Sequence, residues 1–226
     1  MKDYRKFVYV LIGVSLVNLI AMLCLIPGLP ESVPAHYNIR FEVDRMGSKW
    51  FVALFPAITL LFSVSIAVEQ KIRGRDYANN KPLTIFATFF VALFIALGWV
   101  LYAMSGTGAQ LGDVVNMPFD LVICLGLSVL FIVMGNYLPT VKQNKTYGIR
   151  MRATFESEEV WRKVHRFGGL AYVIGGLVSA VIVLIGYFSG AKLLEFVGLL
   201  LGMYGSTLAI LIYAKRLEKK MKGGKG

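Results

Sequence analysis

Residues 83–104 read LTIFATFFVALFIALGWVLYAM, a run without a single Asp, Glu, Lys or Arg. The hydrocarbon core of a bilayer is about 30 Å thick, which about 20 helical residues cross. The run has no alternation of period two, and an open sheet edge cannot satisfy its backbone in lipid, so a spanning helix is the expected structure. Five further uncharged runs of similar length occupy 7–26, 51–68, 121–138, 170–188 and 196–213. The fold expected is therefore an all-α integral membrane protein, a six-transmembrane-helix bundle, multi-pass in the cell membrane. Composition agrees: of 226 residues 57% are hydrophobic and 16% charged, too apolar for one soluble core. Lys2, Arg5 and Lys6 precede the first run as they would in a signal peptide. That run is longer than a signal core and lacks a small-x-small site before Pro27, so it is read as a mature helix.

Basic residues alternate from one connection to the next. The N-terminus, the second and fourth connections and the C-terminal tail hold 20 of the 24 Lys and Arg, against Arg40, Arg45, Lys49 and Lys192 on the other side. The positive-inside rule then predicts both termini in the cytoplasm. The net charge of +11 becomes a topology signal with attraction to anionic headgroups, and no direct nucleic-acid partner is expected. Trp50 and Trp99 are expected in an aromatic belt.

The polar residues at depth are neutral: Asn18, Thr59, Ser63, Ser65, Asn136 and Tyr204, read as interhelical hydrogen-bonding groups. No acidic, basic or histidine side chain is expected within the bilayer. Pro56 is expected to kink the second helix. Gly175 with Ser179, Gly176 with Ala180, and Gly198, Gly202 and Ser206 recur at four-residue spacing, predicting a tight hairpin of the last two helices. Asp120 and Glu195 stand at helix starts, where a helix dipole favours a carboxylate. Cys24 and Cys124 are expected as free, buried thiols.

Two polar connections carry the chemistry. Residues 27–49, predicted outside, hold three prolines and then His36, Asn38, Glu42, Asp44, Arg45 and Lys49. A braced cap that covers the bundle or meets an external ligand is expected, with His36, Asn38, Asp44 and Lys49 as binding or structural residues and Asp44 paired to Arg40 or Lys49. No metal spacing such as HExxH occurs, so no metal or cofactor is expected. Residues 139–167, predicted inside, contain Ser157-Glu158-Glu159, a helix start, followed by Val160, Trp161, Val164 and His165 on one face. A short interfacial helix with Trp161 at the headgroups is expected here, and Arg150 is expected to pair with Glu156, Glu158 or Glu159 or to cap a helix end. The bilayer separates His36 from His165.

Two sets of motifs support a family reading. PAHYN at 34–38 and VDRMGSK at 43–49 resemble the P-x-H-aromatic-N and D-x-x-G-S-K elements of a small domain of unknown function. That domain precedes the SdpI module in many bacterial and archaeal membrane proteins. GNYLP at 135–139, Asn144, YGIR at 147–150 and EEVWRKVHRFGG at 158–169 resemble the signature of the SdpI immunity-protein family. Phe41 replaces an expected Gly, Met151-Arg152-Ala153 an expected Thr-Pro-Trp, and Val164 an expected Thr.

The resemblance implies three parts: an N-terminal transmembrane hairpin, 1–82, with an external loop, 27–49; a third helix and connection, 83–118; and an SdpI-like module, 119–226, with a cytosolic loop, 139–167. It implies immunity to a secreted peptide toxin and signal relay through a cytosolic transcriptional repressor, acting through binding rather than catalysis. The cytosolic motif would comprise Asn136, Asn144, Gly148, Arg150, Glu159, Trp161 and His165. The alternative reading is a transporter or exporter of a small apolar molecule.

Overall fold

The computed structural model describes residues 4–38, 42–74, 80–108, 110, 119–145 and 147–223. Six of its helices are long and apolar enough to cross a membrane: α1 (Tyr4–Leu25), α2 (Leu54–Arg73), α3 (Asn80–Ser105), α4 (Phe119–Tyr137), α6 (Glu158–Ser189) and α7 (Lys192–Gly223). A short α5 (Arg152–Glu156) precedes α6. The chain is a multi-pass membrane protein.

The segment between α1 and α2 is not a simple loop. Strands β1 (Ser32–Tyr37) and β2 (Val43–Ser48) form an antiparallel hairpin, with Ser32 opposite Ser48 and Tyr37 opposite Val43. Its register is irregular on both sides of His36, which breaks the two-residue period that announces a strand in sequence. Pro34 fits because a two-stranded sheet is all edge. A Cβ on Gly47 would stand 2.8 Å from that of Ala35, so the strands approach there only with glycine.

Helix ends follow local chemistry. Pro27 helps to stop α1, and the Leu29 N–H closes a tight turn on the Ile26 carbonyl at 3.0 Å. Gly74, at φ +83°, ends α2 and donates to the Gln70 carbonyl. Gly190, at φ +71°, ends α6. Pro56 falls in the first turn of α2, not its interior. Its missing N–H is unpaired there in any helix, so the expected kink has no cause.

Helices α1, α2 and α3 pack with one another, α4, α6 and α7 do likewise, and α3 against α4 is the main joint between the two halves. The tight α6–α7 hairpin is present. A Cβ on Gly175 would lie 2.6 Å from the Gly202 carbonyl oxygen, whereas Gly176 faces Ser128 and Ile132 of α4 instead. Polar glue joins α1 to α2 through Ser15 and Ser63 (3.1 Å), α1 to α3 through the Trp99 indole N–H donating to Asn18 (2.9 Å), and α4 to α6 through Ser128 and Ser179 (2.7 Å). Thr59 and Ser65 instead bond carbonyls of their own helix, and Asn136 and Tyr204 are exposed. Cys24 and Cys124 are both free, but only Cys124 is buried.

Candidate functional site

Two polar assemblies occupy opposite ends of the bundle. The first is built where α6 begins, on the face that also carries the start of α1 and the end of α7. Helix α6 has 32 residues, about 48 Å at the helical rise, so its first turns project beyond a core of about 30 Å. Ser157 caps it by accepting the Val160 N–H. Trp161 and His165 then lie one above the other at i, i+4, stacked with ring centroids 4.0 Å apart and planes 17° apart. Both are buried, at 2% and 0% exposure. The interfacial anchor expected for Trp161 is therefore not what forms: the ring is covered by the connection that follows α4, and its indole N–H donates to the Val141 carbonyl at 2.8 Å.

The geometry fixes the histidine tautomer. The Ile149 N–H donates to Nε2 at 3.0 Å, so that nitrogen is unprotonated. Nδ1 carries the proton and donates to the Trp161 carbonyl at 2.9 Å. Gly148 makes the approach possible, because a Cβ there would lie 2.5 Å from Nε2 and its φ is +110°. Asn144 shapes the turn before it, accepting the Tyr147 N–H at 2.9 Å and donating to the carbonyls of Lys142 and Tyr147. Thr154, a residue not singled out from sequence, accepts the Met151 N–H and donates to the Ile149 carbonyl at 3.0 Å. Its position three residues after Met151 is the helix-start spacing that could have flagged it.

Arg150 does not pair with the acidic segment. Its guanidinium donates to the Lys145 carbonyl at 2.9 Å, while Glu156 is taken by Arg152 (2.8 Å) and Glu159 by Lys163 (2.6 Å), each one helical turn away. Asn144, Gly148, Trp161 and His165 thus form one bonded block, Arg150 stands at its rim, and Asn136 and Glu159 lie outside it. Gly135 and Gly169 hold the block to the bundle: a Cβ on either would stand 2.6 Å from the carbonyl oxygen of the other, where α4 crosses α6.

The second assembly is the β1–β2 hairpin at the other end. Asp44 bonds His36 Nδ1 at 2.6 Å, not Lys49, which reaches Glu31 at 2.8 Å. Arg40 and Phe41 lie outside the described residues. Asn38 and Glu42 close the hairpin end by exchanging side-chain and backbone bonds of 2.8 to 3.2 Å. Burial pushes the Tyr37 phenol up to about 12. Beneath lies a cavity of about 760 Å³, with His36, Tyr37 and Asp44 on the hairpin side and Phe55, Leu101, Leu127 and Phe196 among its helical walls. A second apolar cavity of about 470 Å³ opens at the other end, beside Gly148 and Arg150. Between the two, Leu93, Leu97 and Leu130 pack with Phe90 and Phe94, whose rings stack at 4.2 Å.

At the hairpin end, the two carboxylates expected at helix starts form a charged corner in the first turns of α4 and α7. Asp120 and Glu195 are 2% and 0% exposed. Lys192 forms an ion pair with Asp120 and lies 3.4 Å from Glu195. Asp120 also accepts the Leu121 N–H, a helix-start bond of the kind expected, whereas the Glu195 oxygens accept no hydrogen bond from the described residues.

Residues 140–214, which carry the bonded block, match the model of the SdpI/YfhL protein family. Residues 13–60, which carry the hairpin, match a domain of unknown function, DUF1648. The chain is also similar to Immunity protein SdpI of Bacillus subtilis (strain 168), at 25% identity over 199 residues, covering 84% of this chain and 87% of that protein. No solved structure matches. The SdpI/YfhL segment thus begins just before the loop that caps His165 and ends at Ala214, a buried residue of α7 packed near Val160 and Val164.

Proposed function

We propose that the protein protects its cell against a secreted peptide toxin, acting by binding rather than catalysis, with both termini in the cytoplasm and the hairpin outside. The observation that carries this reading is the similarity to Immunity protein SdpI along 84% of the chain. The hairpin supports it: His36 and Asp44 are partly exposed on the lid of a cavity large enough for several side chains of a peptide. Residues 119–226 form the module that relays the event, and the block of Asn144, Gly148, Trp161 and His165, with Arg150 at its rim, meets a cytosolic repressor. The leucine and phenylalanine layer between the two cavities weighs against the transporter reading.

The test uses a Bacillus subtilis host lacking SdpI and exposed to the agent that SdpI counters. Expression of this chain is expected to restore survival. His36→Ala is expected to lose protection while the melting temperature in detergent stays put, because an exposed ion pair is worth about 1 kcal/mol or less. No protection from a well-inserted wild type overturns the immunity reading, and full protection by His36→Ala removes the hairpin from it.

A further inference from the structure

The cavity of about 470 Å³ beside the block lies between the two halves of the bundle, with Phe62, Phe86, Val133 and Ile210 in its walls. Its volume is within the range of small-molecule sites, and its lining is almost wholly apolar. Leu211, in its lining on α7, is 40% exposed, so the cavity reaches the outer surface of the bundle there. Arg150 also lines it and is exposed. Among the described residues its one bond is to the Lys145 carbonyl, and it forms no ion pair with any of them. An apolar slot open at that surface, with an uncommitted guanidinium at one end, matches an amphiphile with a chain and an anionic head.

We propose that this cavity holds one acyl chain of an anionic phospholipid, with the headgroup phosphate on Arg150. A guanidinium suits a phosphate because its parallel N–H groups meet two oxygens at once. The end of the bundle that carries Arg150 also carries Lys142, Lys145, Arg152 and Lys163, and such a surface draws anionic lipid toward it. The chain sits in the seam between the halves and its head beside Gly148, so occupancy bears directly on the loop that caps His165. This site shares Gly148 and Arg150 with the block, but it does not rest on the toxin reading.

The test is native mass spectrometry of the full chain in detergent, titrated with dioleoyl phosphatidylglycerol or dioleoyl phosphatidylcholine. The first phosphatidylglycerol is expected to bind about tenfold more tightly, because both headgroups offer a phosphate but the choline ammonium of phosphatidylcholine cancels the net charge that Arg150 and the neighbouring cations attract. Arg150→Gln is expected to remove that preference, whereas Arg166→Gln, an exposed arginine outside the cavity, keeps it. Val133→Trp is expected to lower binding of both lipids, and Leu211→Trp serves where Val133→Trp does not fold. Equal binding of the two lipids by the wild type, or equal effects of Arg150→Gln and Arg166→Gln, overturns the proposal. Displacement of phosphatidylglycerol by inorganic phosphate also overturns it, because the site then takes a free anion rather than a lipid.

Discussion

At Gly148 two constraints coincide, a left-handed backbone and a ring nitrogen where a side chain would begin. Gly148→Ala is expected to cost about 1–3 kcal/mol, from backbone strain and from displacing His165. Thermal unfolding in detergent checks this, and an unchanged midpoint would mean that the loop does not need the approach. His165 gives a companion test. Protonation at Nε2 would put two donors face to face at Ile149, so the folded chain holds the neutral ring and binds fewer protons than the unfolded one. Stability is then expected to fall as pH drops through the ordinary imidazole range, and to fall less in His165→Phe. Sequence spacing grouped Trp161 with His165 correctly but misread their surroundings. The same helical stripe arises whether a face lies on lipid or under a loop, and only the bonds from Val141 and Ile149 distinguish the two.

Among the elements, α6 and α7 test close packing against their own control. Gly202 touches the α6 backbone at Gly175, whereas a Cβ on Gly205 would meet nothing within 4 Å. Gly202→Ala is expected to destabilise by about 1–3 kcal/mol through overpacking. Gly205→Ala is expected to be neutral or to gain up to about 1 kcal/mol of helix propensity. Equal effects in an unfolding series would deny the close approach. The helices were legible because each is a long run without charge. The hairpin was not, because Pro34 and the irregular register around His36 leave too short a pattern to read as strands. The pairing of His36 with Asp44 depends on that register, and that of Asp120 with Lys192 joins residues 72 positions apart, so neither was visible before the fold was known.

At the scale of the whole molecule, Ser32 and Ser157 stand at opposite ends of the bundle, at the starts of β1 and α6. With Cys24 and Cys124 replaced, a membrane-impermeant thiol reagent is expected to label Ser32→Cys from outside the cell and to miss Ser157→Cys. The reverse pattern would invert the orientation drawn from basic residues. The division into halves carries a further consequence, for the way the chain is made. Helices α1 to α3 find their main partners in one another, so they can assemble while α4 is still being synthesised. The later half then closes on itself and docks through α3 and α4. The seam is accordingly the last surface to form during biogenesis, and a mutation there should spare membrane insertion while leaving two finished halves that fail to join.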